Sequence, residues 1–161
     1  MTKSSKGFSL IELLIVVAII LIIAAIAIPN LLRSRIAANQ ASAVGSLRTL
    51  NTAEITYSST YNVGFSATAA YLAPPATAGA NPTSTAAGLI DSVLAAGSKS
   101  GYTFSYTPGT ADSGGRINTY TFNGSPITSS TGTNYYFTDQ SGVIRQNSTA
   151  AAASTDSPIA G

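Results

Sequence analysis

Lys6-Gly7-Phe8-Ser9-Leu10-Ile11-Glu12-Leu13-Leu14-Ile15-Val16-Val17 opens an apolar run that continues to Ile28 and is interrupted only by Ser9 and Glu12. From Leu13 to Ile28 no residue is polar. As a helix, Phe8 to Ile28 rises about 31 Å, enough to cross the hydrocarbon core of a bilayer. Lys3 and Lys6 precede the run, which predicts a cytoplasmic N-terminus. Arg33 and Arg35 follow it and weaken that asymmetry.

Three readings compete for this segment. One is a plain signal anchor. Another is a secretory signal peptide, for which Ala25-Ile26-Ala27 supplies a small-x-small cleavage site. The apolar run, however, exceeds the usual core of such peptides, and it contains an acid. A carboxylate in hydrocarbon costs about 3 kcal/mol on insertion scales, so an acid there is a functional candidate in need of a partner. No basic residue of this chain lies at the depth of Glu12, so the partner must come from elsewhere.

The third reading rests on a resemblance. The stretch Lys6 to Val17 resembles the class III signal of type IV prepilins, and the short basic leader Met1 to Gly7 matches as well. The resemblance covers Lys6 to about Ile36 and implies a cut between Gly7 and Phe8 by a prepilin peptidase, which also methylates Phe8. It implies that Glu12, five residues into the mature chain, pairs with the N-terminal amine of a neighbouring subunit. Cleavage creates an ammonium at Phe8 in the same apolar layer as Glu12, and two buried opposite charges that neutralise one another cost less than either alone. An unpaired Glu12 would then penalise every misaligned neighbour, setting register as well as affinity.

Pro29 follows the apolar run directly. Proline removes a helical hydrogen bond and kinks or ends a helix. A kink is expected, because Ile36, Ala43, Leu47, Leu50, Tyr57 and Tyr61 continue at helical steps. Gln40 and Glu54 interrupt that stripe, while Arg33, Arg35, Arg48 and Asn51 fall largely elsewhere. The expectation is one helix from about Ser9 to about Tyr57, divided into an apolar segment 8–28 and an amphipathic segment 29–60. Ala24, Ala25 and Ala27 would allow close helix approach or serve as apolar filler.

Segment 61–148 reads as a globular domain. Pro74-Pro75 and Asn81-Pro82 mark turns, and Leu89, Ile90, Val93 and Leu94 suggest one short helix within a loop. From Gly101 the period becomes two. Strands are expected over Tyr102–Thr107, Thr119–Phe122, Tyr135–Thr138 and Val143–Arg145, with turns at Asp112–Gly115 and Asp139–Gly142. Residues 149–161 read as a flexible low-complexity tail. The fold class is therefore α+β: a long N-terminal helix with a protruding hydrophobic half, whose amphipathic half packs on a C-terminal antiparallel sheet of about four strands. The alternating aromatics are expected to face the core rather than stack on bases.

Composition removes most catalytic chemistry. The chain has no cysteine and no histidine, which excludes disulfides, Cys/His zinc sites and histidine-based triads. Lys3 and Lys6 supply two of eight cationic side chains; the remaining six balance six acids, so a chain starting at Phe8 is formally neutral. Nucleic acid is not expected as a specific partner. Asp112 and Asp139 lack calcium-loop spacing, and turn roles are expected for both. Asn123-Gly124-Ser125 and Asn147-Ser148-Thr149 match the glycosylation pattern.

The reading is a non-enzymatic structural subunit of a type IV pilus, without cofactor or metal, serving motility, adhesion or DNA uptake. It would polymerise with copies of itself through the N-terminal helix. Before assembly it would be a single-pass inner-membrane protein meeting the prepilin peptidase/methyltransferase and the inner-membrane assembly machinery; afterwards it would lie in an extracellular filament. The alternative is a major pseudopilin of a type II secretion system. A distant alternative is a signal-anchored surface binding module. Many pilins close a C-terminal loop with a disulfide; here packing, calcium, sugar or neighbours must hold that region.

Overall fold

In the computed structural model, which describes residues 7–159, helix α1 runs Leu10–Tyr61. The leader residues 1–6, with Lys3 and Lys6, and the final residues 160 and 161 lie outside the described residues. The chain divides into two units between Arg35 and Ile36. In the first unit, α1 is an apolar helix whose large side chains from Leu10 to Leu32 are all exposed. Pro29 sits within it. Because proline has no N–H, the carbonyl of Ala25 lacks its helical donor there.

The second unit carries the core. Ala43, Leu47, Leu50, Ala53 and Tyr57 recur at helical spacing on one buried face of α1. They pack with a five-stranded antiparallel meander: β1 Ser98–Lys99, β2 Tyr102–Pro108, β3 Tyr120–Pro126, β4 Tyr135–Asp139 and β5 Arg145–Asn147, in that order. Period-two alternation places Tyr102, Tyr120, Phe122 and Tyr136 on the buried face. Tyr106 and Phe122 meet at 4.6 Å between ring centroids, and Phe65 and Tyr120 at 4.7 Å. Each large apolar side chain so buried contributes about 1.5–3 kcal/mol. Gly132 is required by this packing, because a Cβ there would collide with the ring of Tyr102.

The segment between α1 and the sheet closes the core with Leu72, Ala87, Ile90 and Leu94. It contains a 3-10 helix, Ala69–Leu72, and the single turn α2, Ser92–Ala95. The Asp91 side chain caps α2 through the Leu94 N–H at 2.9 Å and pairs with Lys99 at 2.9 Å. Helical spacing over 89–94 thus yields one short turn; Leu89 and Ile90 precede it in non-helical backbone.

Several expectations are corrected. The sheet has five strands, because Ser98–Lys99 pairs back on β2 through Ser100 and Gly101, both at positive φ, as a two-residue primed turn requires. The last strand is Arg145–Asn147 rather than Val143–Arg145: Gly142, at φ 74°, turns the chain, and Ile144 enters the core before pairing with β4 resumes. Asn51 and Glu54 are fully enclosed on the core face of α1, each held by hydrogen bonds. Asn51 Nδ2 donates to Thr138 Oγ1 at 2.8 Å, and the Tyr120 hydroxyl donates to Asn51 Oδ1 at 3.0 Å. Glu54 accepts from the backbone N–H and hydroxyl of Ser66.

The described part of the tail, residues 150–159, expected to be flexible, is tied down instead. Ser157 to Ile159 lies along the free edge of β5: Gln146 N–H donates to the Ser157 carbonyl at 3.0 Å, and Ile159 N–H to the Ile144 carbonyl at 2.9 Å. Asp156 is the hub. Its carboxylate accepts from Asn147 Nδ2 at 3.0 Å and Ala153 N–H at 2.7 Å, and its carbonyl accepts from Arg145 Nη1 at 2.8 Å. Ala152 is buried, and Phe137, on the outward face of the sheet, is only 7% exposed. Hydrogen bonds and one outward aromatic therefore hold the C-terminal region without a crosslink.

Candidate functional site

The residues expected to serve processing and assembly lie in the first unit. Gly7, Phe8 and Ser9 precede α1 in non-helical backbone. Gly7 has open space where a side chain would be, and Phe8 is 77% exposed. The Gly7–Phe8 peptide bond is thus accessible and outside regular structure, the condition under which backbones are most readily cleaved. The helix begins immediately afterwards, with Leu13 N–H donating to the Ser9 carbonyl at 3.2 Å.

Glu12 has a defined local role. Its Oε2 accepts the backbone N–H of Ser9 at 2.9 Å, so Ser9-x-x-Glu12 forms the glutamate half of a capping box. The carboxylate also sits at the positive end of the helix dipole. Among the described residues it has no cationic partner; the ion pair there is Lys99–Asp91. Sequence reading singled out Glu12 for its burial cost but passed over this cap. The signal was available, since [ST]-x-x-[DE] before an apolar run is the capping pattern. The cap places the carboxylate one residue from the nitrogen of Phe8, the atom that would become the amino terminus.

Beyond Glu12 the surface is uniformly apolar. Leu10 is 78% exposed and Ile28 64%, and the helix is long and apolar enough to cross a membrane. Contiguous apolar surface of this extent marks a lipid or protein contact. Gly7, Phe8 and Glu12 cluster at its start, and Pro29 closes its far end within the helix. In the second unit, Asp112 serves the turn expected of it: Oδ1 accepts from the N–H groups of Gly114 and Arg116, and Oδ2 from Asn118 Nδ2. Arg116 N–H and Asn118 hold its carboxyl below the ordinary range. Among the described residues no three carboxylates gather as a metal site.

A family profile described as the prokaryotic N-terminal methylation motif matches residues 2–28. The chain is 65% identical over 37 residues to the "Type IV wide pilus major component PilA4" of Thermus thermophilus, covering 23% of this chain and 28% of that protein. It is 52% identical over 50 residues to the "Type IV major pilin protein PilA" of Myxococcus xanthus, covering 31% of this chain and 23% of that one. The matched region thus spans about a quarter of each relative. No solved structure matches the chain. A capped glutamate five residues beyond an accessible Gly-Phe bond, on an exposed apolar helix within the methylation motif, is the region in which this chain is similar to those type IV pilins.

Proposed function

We propose that the protein is a structural subunit of a type IV pilus, made as a membrane-anchored precursor and assembled through α1 into an extracellular filament. The observation that carries this reading is the exposed apolar face of α1 with Glu12 at its start. Lipid covers that surface in the precursor and neighbouring helices cover it in the filament. Lipid is as apolar as leucine, so the exchange itself supplies little hydrophobic drive. Specificity comes from Glu12, whose desolvation penalty is relieved when it meets a Phe8 ammonium. Cleavage at Gly7–Phe8 is thereby coupled to assembly, because the uncut chain has an amide where the ammonium must be.

The two relatives are named as major pilus components, which supports a pilus over a pseudopilus. The role is structural rather than catalytic, with a prepilin peptidase and an inner-membrane assembly machinery as partners. Intact mass and N-terminal sequencing of the protein from cells test it. An N-terminus at Phe8 bearing one added methyl group, in sheared surface filaments, is the expected result. An N-terminus at Met1, or one near Ile28, overturns the reading.

A further inference from the structure

Two sets of surface hydroxyl groups contrast in their bonding. On the outer face of α1, Thr49, Thr52 and Thr56 each donate to a carbonyl one turn back, at 3.1, 3.0 and 2.8 Å, so their donors are spent. On the outward face of the sheet the reverse holds. Thr121, Asn123 and Ser125 of β3 alternate with buried Tyr120, Phe122 and Gly124 and therefore point away from the core. Opposite them on β2 stand Thr107, Ser105 and Thr103, in direct register. None of these six side chains hydrogen-bonds to another protein group among the described residues. None of the six is ionisable, and Asp139 stands beside them, opposite Thr121 on β4. They form a two-strand array of unspent donors and acceptors.

The array runs between two clefts. At one end, a cleft of about 380 Å³ includes Thr121, Phe137 and Asp139 and is walled by Ser154 of the tail. At the other, a cleft of about 460 Å³ is lined by Ile127, Ser129, Tyr135 and Ser148 among others, with no charged side chain. Tyr135 neighbours buried Tyr136 on β4 and so faces outward. Its ring is half-buried, and its hydroxyl, like those of Ser129 and Ser148, has no protein partner among the described residues. Ile127 is 55% exposed at the same place. The β3 portion of this path, Tyr120–Pro126, is about 24 Å long.

We propose that this outward face, from Thr121 along β3 to the cleft at Tyr135, binds a neutral polysaccharide chain. Unspent hydroxyl and amide groups at regular spacing match a ligand made of hydroxyls. An aromatic ring with an adjacent aliphatic side chain suits the apolar C–H face of a pyranose. Asp139 beside Thr121 opposes an anion, and neither the β2 and β3 side chains of the array nor the Tyr135 cleft offers a cation, which selects against uronic acids, phosphates and nucleic acid. The tail held by Asp156 forms one wall, which gives the C-terminal strap a role in the site. The inference concerns the second unit alone and does not depend on filament assembly.

The test uses the full chain in micelles of a sugar-free zwitterionic detergent, titrated calorimetrically with cellohexaose, laminarihexaose, maltohexaose and, as the charged counterpart, hexagalacturonate. At least one neutral hexasaccharide should bind, with affinity changing less than about twofold from about 0.05 to about 1 M salt. Tyr135→Ala should weaken it about tenfold, and so should the shape-conserving pair Thr121→Val with Asn123→Ala. If Tyr135→Ala disturbs the fold by circular dichroism, the Thr121/Asn123 pair decides. The proposal is overturned if no neutral hexasaccharide binds, if folded variants bind as tightly as the parent, or if hexagalacturonate binds more tightly and in a salt-sensitive way.

Discussion

Glu54 of α1 grips Ser66 with both carboxylate oxygens, Oε1 accepting the hydroxyl at 2.6 Å and Oε2 the backbone N–H at 2.9 Å. The Ser66 carbonyl in turn accepts the Tyr106 hydroxyl at 2.6 Å. One buried acid thus fixes the chain leaving the helix against β2. Glu54→Ala leaves the Ser66 N–H buried without an acceptor and opens a small cavity. The expected loss is about 2–4 kcal/mol in urea unfolding. A loss below about 1 kcal/mol would mean that water replaces the carboxylate.

Glu54 also gives stability a pH dependence of unusual sign. Burial raises its carboxyl above the ordinary 4.5, and the Ser66 hydrogen bonds only partly oppose that. The folded chain therefore holds this proton more tightly than the unfolded chain. The stabilisation is fully present below about 4.5 and is lost as pH rises through the folded value. Asp91 and Asp112, lowered by Lys99 and by Arg116 N–H respectively, act in the opposite direction, so the comparison must be differential. Wild-type stability minus that of Glu54→Gln should fall as pH rises above about 4.5. A difference that rises with pH would show that the acid is net stabilised in its charged form.

Asn51 joins α1 to two strands, through Thr138 on β4 and Tyr120 on β3. Asn51→Leu keeps the volume but leaves the Tyr120 hydroxyl without its acceptor, and should cost about 2–3 kcal/mol. Adding Tyr120→Phe removes the stranded group, so the double variant should recover part of that loss, with a coupling of about 1 kcal/mol. Strict additivity would show that the hydrogen bond carries no net energy.

These two residues also mark where the sequence was legible and where it was not. The apolar run, Glu12 and the aromatic alternation of β2 and β3 follow from periodicity, because a single burial pattern dominates each. Glu54 reads as a break in a helical stripe and Asn51 as lying off it, since a one-dimensional pattern cannot know that Thr138, Tyr120 and Ser66 arrive from elsewhere to satisfy them. Strand β1 was missed because two residues have no period; only the Ser100-Gly101 turn announces it. The tail was misjudged because Ala, Ser and Thr carry little burial signal, and its order comes from Asp156 meeting Asn147 and Arg145.

The buried tyrosines should titrate late. Burial, with the neighbouring Tyr136 phenol adding to it, pushes the Tyr102 phenol up to about 12. Tyr57, Tyr106, Tyr120 and Tyr136 are also raised, chiefly by burial. A phenol raised on folding must ionise when the chain unfolds in base, so stability is lost as pH rises above the unfolded value near 10. Absorbance at alkaline pH should therefore show a late phase contributed by these residues, coincident with loss of circular dichroism. Full ionisation near pH 10 with the fold intact would contradict their burial.

Asp156 should decide whether the C-terminal strap stays closed. Its carboxylate joins Asn147 to Ala153, and the strap it holds covers the β5 edge and walls, through Ser154, the cleft that contains Phe137. An open edge is a template for strand addition, so the strap protects as well as stabilises. Asp156→Ala removes both carboxylate contacts but leaves the Arg145–carbonyl bond and the Ile159–Ile144 backbone bond in place. Its effect should therefore be local: about tenfold faster proteolysis within residues 149–156, with global stability lowered by only about 1 kcal/mol. Deleting 149–161 should expose Phe137, lower stability by about 2–4 kcal/mol and promote association at high concentration. If Asp156→Ala leaves the proteolysis rate unchanged, the edge pairing alone holds the strap and Asp156 is not its latch.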